Sequence, residues 1–264
     1  MKQRVIWGAI ALLIMLPFLL HGGLLFQVFV GFLAMIGVAE MLRMKHLEFF
    51  SIEGVLSMLG AFVLTVPLDN YFTSLPIDSN FAVYGLLVFL LLAGTVINCD
   101  DYSFDDVSYP IAASLYVGIG FQNLVNARMG GLDKVLFALF IVWATDIGAY
   151  MIGRRFGQRK LMPKVSPNKT IEGSLGGIAC AVVVSLIFML IDKAVYAPHN
   201  LFAMLIYVIL FSIFGQFGDL VESAIKRHFG VKDSGKLIPG HGGILDRFDS
   251  MIFVLPIMHL FGLF

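Results

Sequence analysis

SLGGIACAVVVSLIFMLID, residues 174–192, decides the fold. From Ser174 to Ile191 it carries no charged side chain. A helix of about 20 such residues crosses the ~30 Å hydrocarbon core of a bilayer. Backbone groups in lipid must be satisfied within the segment itself, so a run like this one is read as a spanning helix. Working outward, further apolar runs lie at about 5–20, 24–42, 52–68, 81–98, 108–126, 132–153, 200–218 and 244–264, with those at 52–68 and 108–126 the weakest. The 264 residues are 59% hydrophobic and 14% charged, with mean hydropathy +0.89. A soluble domain is about 45–50% apolar and about 25% charged. No hydrophilic stretch is long enough to fold as a soluble domain of its own. The sequence therefore predicts an all-α, polytopic integral membrane protein with about nine transmembrane helices, built as a single transmembrane domain over 1–264. Within it, 1–130 is an apolar helical bundle portion and 131–264 is a catalytic portion with polar loops at 154–173 and 219–243.

The break at His21-Gly22-Gly23 is short, which predicts a tight helical hairpin between the first two spans. The first segment follows Lys2 and Arg4, as a signal peptide would, but no A-x-A-like site follows it, and it is read as a retained span. The segment Pro67–Asn80 reads as a plain connector. Cytoplasmic flanks of spanning helices carry an excess of lysine and arginine. With the N-terminus in the cytoplasm, fifteen such residues fall on the cytoplasmic side and only Arg128, Lys134 and Lys193 on the other. This predicts a cytoplasmic N-terminus, an outside C-terminus, and both polar loops on the cytoplasmic face of the cell membrane. The acidic Asp100, Asp101, Asp105 and Asp106 fall on that face too, and acidic residues count little in the rule. Net charge is zero, and Cys99 and Cys180 stand apart with no zinc-like spacing, so they read as structural thiols.

Three constellations carry chemistry. Before residue 174 stands KVSPNKTIEGSLGG, residues 164–177. Pro167 suits a turn, Asn168 or Thr170 suits a helix cap, and Lys169 adds a positive charge beside free helix N–H groups, which together suit phosphate. A capped helix with a basic flank would look the same. The second is GQFGDLVESAIKR, residues 215–227, where Asp219, Glu222 and Lys226 share one helical face. Paired carboxylates suit Mg²⁺, and the bland alternative is an ion pair between Glu222 and Lys226. The third is GHGGILDRFDS, residues 240–250, where Asp246 and Asp249 share a face and Arg247 can fork onto phosphate. Asp146 lies about two turns inside its span, roughly 12 Å deep. It either binds metal or pairs with Lys169 or Lys226. GVKDSGK, residues 230–236, has P-loop spacing, but Leu237 stands where Ser or Thr is required and no strand precedes it. Lys232 and Lys236 remain candidates for touching phosphate, while His228 and His241 read as surface groups rather than metal ligands.

The blocks Ser166–Gly173, Gly218–Ser223 with Lys226-Arg227, and His241–Ser250, in this order, resemble the phosphatidate cytidylyltransferase (CDP-diacylglycerol synthase) family. The resemblance is specific over about 143–250. It implies a nucleotidyltransferase that joins CTP to phosphatidate, releases pyrophosphate and requires Mg²⁺. It implies that Asp219, Asp246 and Asp249 hold the metal, that Ser166, Asn168, Lys169, Thr170 and Ser174 bind CTP, and that Lys226, Arg227 and Arg247 neutralise phosphates. Glu172 and Glu222 would orient the site, with Glu222 an alternative ligand. It further implies a second cation, K⁺, a homodimer and contact with membrane lipid, and no nucleic-acid partner.

Two rival readings fail on a feature, and a third stays open. A CDP-alcohol phosphotransferase needs a D-G-x2-A-R…G-x3-D-x3-D pattern, and here a loop separates Asp219 from Asp246. A transporter would place charges near the midplane and show repeated halves, whereas these charges gather at one face. A cytidylyltransferase for another lipid phosphate differs only in its apolar half.

Overall fold

Long apolar runs fold as helices here because the helix satisfies backbone groups within the segment itself, even where Pro17, Pro110 and Pro256 each remove one amide donor from the ladder. The computed structural model describes residues 2–68, 71, 80–100, 102–240 and 242–264. Most of the expected Pro67–Asn80 connector, together with Asp101 and His241, lies outside the described residues. Among those described, nine α-helices and one two-stranded antiparallel hairpin are present, each helix at an expected run. The chain divides into two compact units, Met1–Val125 with Asp233–Arg247, and Asn126–Lys232 with Phe248–Phe264. The segment 233–247 goes with the first unit.

The first unit holds α1 (Lys2–His21), α2 (Gly23–Met44), α3 (Ile52–Thr65), α4 (Asn80–Ile97) and most of α5 (Phe104–Met129). Gly22 and Gly23 adopt φ of 69° and 57°, the left-handed backbone that the tight α1–α2 hairpin needs. Ser51 caps α3, its hydroxyl accepting the Gly54 N–H at 3.1 Å. Val30, Ala34, Val38, Ala61, Leu64 and Val117 are buried to within 1% of complete. The Tyr109 hydroxyl donates to the Met41 carbonyl at 2.8 Å and ties α5 to α2. Ahead of α5, Ser103 donates its hydroxyl and its amide to Asp106, which holds that carboxyl below its ordinary range.

The second unit holds α6 (Leu132–Phe156), β1 (Lys160–Met162), β2 (Ser166–Thr170), α7 (Ile171–Ile191), α8 (Leu201–His228) and α9 (Leu245–Leu260) from Phe248 onward. The polar loop 154–173 is thus partly sheet. Pro163–Val165 form the turn, and Pro167 lies in β2, where a two-stranded hairpin tolerates a missing amide donor. The other expected loop, 219–243, is helical through His228, because α8 outlasts its apolar stretch. Asn200 caps α8 through the Ala203 N–H at 2.8 Å. Lys134 donates to the carbonyls of Val195 and Ala197 at 2.9 and 3.1 Å, fastening the start of α6 to the connector after α7.

Among the described residues, five helices are long and apolar enough to cross a membrane: α2, α4, α6, α7 and α8. The protein is a multi-pass membrane protein. The described apolar part of α1, Ile6–His21, and α3 are apolar but short. At about 1.5 Å per residue, the 14 residues of α3 reach only about 21 Å. Large apolar side chains stand exposed along the spans, among them Leu86 and Phe89 on α4 and Val183, Ile187 and Leu190 on α7, each more than half exposed.

Candidate active site

Small residues bring α6 and α7 together. A Cβ at Gly173 would lie 2.7 Å from the Ala149 carbonyl oxygen, and one at Gly177 would lie 2.7 Å from that of Thr145. Helices associate in lipid through such close backbone approach, since lipid tails offer no hydrophobic drive between them. Thr145 also donates its hydroxyl to the Ser212 hydroxyl at 2.8 Å, which fastens α6 to α8. At the start of α7, the Thr170 hydroxyl accepts the Gly173 N–H at 3.1 Å and caps the helix. The Glu172 carboxylate accepts the amides of Gln158 and Arg159 at 3.0 and 3.2 Å, so the hairpin is tied down at its root.

Between these elements lies a cavity of about 460 Å³, a size usual for small-molecule sites. Asp146, Tyr150 and Arg154 line it from one face of α6, at i, i+4 and i+8. Asn168, Lys169 and Thr170 line it from β2, Ser174 from α7, and Gln216 and Asp219 from α8. The Lys169 ammonium pairs with Asp219 Oδ2 at 2.5 Å. Of the alternatives for Asp146, the structure places it in this cavity, within electrostatic reach of Asp219, Asp249 and Lys169. Gln216 donates to the Ser174 carbonyl at 3.3 Å. Sequence reasoning gave Tyr150, Arg154 and Gln216 no role. The helical spacing of Tyr150 and Arg154 from Asp146 was the available signal.

A second cluster in the same unit joins α8 to α9. The Glu222 and Asp249 carboxyls are hydrogen-bonded to each other, and Lys226 pairs with Glu222 at 3.1 Å, with Glu222 2% exposed. The expected ion pair is therefore present, but buried. The Ser223 hydroxyl donates to Asp219 Oδ1 at 3.3 Å. The donor chemistry fits a hard cation. Asp146, Asp219 and the proton-sharing Glu222–Asp249 pair outweigh Lys169 and Lys226 in formal charge. Among the described residues, no three acidic, histidine or cysteine side chains stand close enough to hold one ion. Mg²⁺ takes one or two carboxylates and completes its shell with water and substrate phosphates.

Four further expected residues are not among those lining the cavity. Ser166 begins β2 and does not line the cavity. Arg227 is exposed and donates to the Val231 carbonyl at 3.3 Å, beyond the end of α8. Gly230, with φ of 68°, continues that helix end, which accounts for the P-loop-like glycine. Asp246 and Arg247 belong to the first unit. Asp246 Oδ2 accepts the Ser234 amide, the Ser234 hydroxyl and the Gly243 amide, each at 2.8 Å. Arg247 is exposed.

Residues 2–264 match the model of the Cytidylyltransferase family. The chain is similar to the phosphatidate cytidylyltransferase of Staphylococcus saprophyticus, with 46% identity covering 98% of each chain. It is likewise similar to the proteins of the same name from Staphylococcus epidermidis, at 45% identity, and Staphylococcus aureus, at 42%, again over 98% of each chain.

Proposed function

Because the chain belongs to the cytidylyltransferase family and is a nucleotidyltransferase, we propose that it transfers the cytidylyl group of CTP to phosphatidate, giving CDP-diacylglycerol and pyrophosphate. The observation that carries the reading is the cavity of the second unit, where Asn168, Lys169, Thr170 and Ser174 face Asp146 and Asp219.

A phosphatidate oxygen attacks the α-phosphorus of CTP in line, and pyrophosphate leaves from the opposite side. The attacking phosphate is already ionised near neutral pH, so no strong general base is needed. Catalysis then consists of positioning and charge neutralisation. Lys169, released from Asp219 when the triphosphate arrives, neutralises phosphate, and Arg154 stands two turns beyond Asp146 on the same cavity face. Asn168, Thr170 and Ser174 supply amide and hydroxyl groups that orient the nucleotide. Asp219 and Asp249 would hold Mg²⁺, and Asp246, one turn before Asp249 on α9, would extend the acidic face. The ion, when bound, stabilises the developing charge on the leaving pyrophosphate. Lys226, Arg227 and Arg247 answer the remaining phosphate charge.

The reaction takes place at the cytoplasmic face of the plasma membrane, a reading supported by the lysine and arginine excess of the polar segments. A soluble nucleotide and a lipid phosphate can meet there. A K⁺ ion and a homodimer belong to the same proposal, on the strength of the resemblance alone.

The test is incubation of purified protein in detergent with phosphatidate, labelled CTP and Mg²⁺. The expected result is organic-extractable label with stoichiometric pyrophosphate, both absent in Asp219→Asn. Label on a different lipid phosphate would correct the substrate, and no label on any lipid phosphate would overturn the reading.

A further inference from the structure

Glu40 lies near the end of α2, an apolar helix, and is 2% exposed. Its Oε1 accepts the Ile244 amide at 2.9 Å. Its Oε2 accepts the Leu245 amide at 3.0 Å and the Ser234 hydroxyl at 3.1 Å. Asp246 takes the neighbouring Gly243 amide. Three successive amides at the start of α9 therefore point at two carboxylates. The Ser234 hydroxyl stands between those carboxylates with a single proton to donate, and so keys one to the other. The surrounding glycines are matched to Glu40. A Cβ at Gly235 would lie 2.6 Å from Glu40 Oε1, and one at Gly243 would overlap the carboxylate.

Helix starts are ordinarily capped by a nearby Ser, Thr, Asp or Asn. Here the cap comes from a carboxylate 204 residues away, on a helix long and apolar enough to cross a bilayer. We infer that Glu40 is a positioning residue for the reaction: it fixes the first turn of α9, so that Arg247 answers substrate phosphate in one geometry and Asp246 keeps its place on the acidic face. The inference rests on the function proposed above, in which Arg247 acts on a substrate.

The experiment is a double-mutant cycle of Glu40→Gln and Ser234→Ala on the full chain in detergent. Steady-state kinetics with CTP and phosphatidate are measured at a temperature where each variant is fully folded. Gln keeps the size of the side chain but sets an NH2 donor against one of the two amides. The expected kcat of Glu40→Gln is about 10–100-fold below wild type, the scale of a small misplacement at the reacting centre. KM for CTP stays within about threefold, because the hydrogen bonds of Glu40 go to the 234–245 segment and not to Asn168, Lys169, Thr170 or Ser174. The double variant is no more than about threefold slower than the slower single one, since both break the same linkage. A wild-type kcat in folded Glu40→Gln overturns the inference. So does a loss confined to KM, or a double variant whose losses multiply. If Glu40→Gln does not fold, Ser234→Ala decides alone: a kcat loss of about fivefold or more at unchanged Tm supports the linkage, and a wild-type kcat overturns it. A wild type that makes no CDP-diacylglycerol overturns the proposed function itself, which separates that failure from this one.

Discussion

Gly177→Ala tests whether helix spacing sets the cavity. Gly177 is buried in α7 and does not line the cavity, so the variant changes no proposed contact to substrate. The added Cβ would stand 2.7 Å from the Thr145 carbonyl oxygen and 3.1 Å from the Ala149 Cβ. The nearer contact is about 0.7 Å inside ordinary van der Waals distance, and its partner is backbone, which cannot swing aside. Overpacking of this kind costs about 1–3 kcal/mol, against which alanine's better helix propensity returns up to about 1 kcal/mol. A net loss of about 1–2 kcal/mol lowers Tm by roughly 2–8 °C in a chain of this size. If α7 retreats by that distance, Lys169, Thr170 and Ser174 move away from Asp146. Misplacement by about 1 Å can cost ~100-fold in rate, so kcat should fall about tenfold or more. The assay is CDP-diacylglycerol formation at saturating substrates, paired with a thermal melt in detergent. Gly85→Ala is the control, because nothing lies within 4 Å of its added Cβ, and it should match wild type in both measurements. A Gly177→Ala protein with lowered Tm but wild-type kcat would refute the link between helix spacing and the site. Wild-type values of both would refute the steric argument.

Other consequences are open to the same assays. Lys169→Met removes the cation paired with Asp219 and should lower kcat/KM for CTP about 100–1000-fold, the scale of losing one preorganised charge partner; a loss under about fivefold would remove Lys169 from the site. Chelation of Mg²⁺ should abolish turnover, and Asp249→Asn should raise the Mg²⁺ concentration for half-maximal rate at least about tenfold; an unchanged Mg²⁺ dependence would release Asp249 from the ion. Thr170→Val removes the α7 cap and should cost about 1 kcal/mol, read as a Tm drop of about 2–4 °C; an unchanged melt would show the cap to be dispensable.

The helices were legible because hydropathy reports what lipid will cover. It does not report where a helix stops. The apolar run of α8 fades at Phe217, yet Glu222 and Lys226 carry the helix on to His228 through their i, i+4 pair. The hairpin at 160–170 escaped because its strands are three and five residues long, too short for a period of two to register, and Pro167 suggested a turn. The residues around Lys169 and Asp219 were marked by their chemistry, but their pairing was not, since 50 positions separate them in sequence. Glu40 was given no role from sequence, although a lone carboxylate within an apolar run is a feature that signals work to do. Its partners lie some two hundred residues away, and no local pattern points to them.

That separation governs how the chain is made. Glu40 enters the bilayer 194 residues before Ser234 is synthesised. At about 5–20 residues per second, the ribosome takes roughly 10–40 s to supply the groups that Glu40 will bind. For that interval the first unit is an unfinished assembly, its Glu40 carboxylate without the amides and hydroxyl that will bind it. The last helix is what completes it, so a nascent chain truncated before residue 245 should remain a substrate for membrane quality-control proteases, however well its early helices insert.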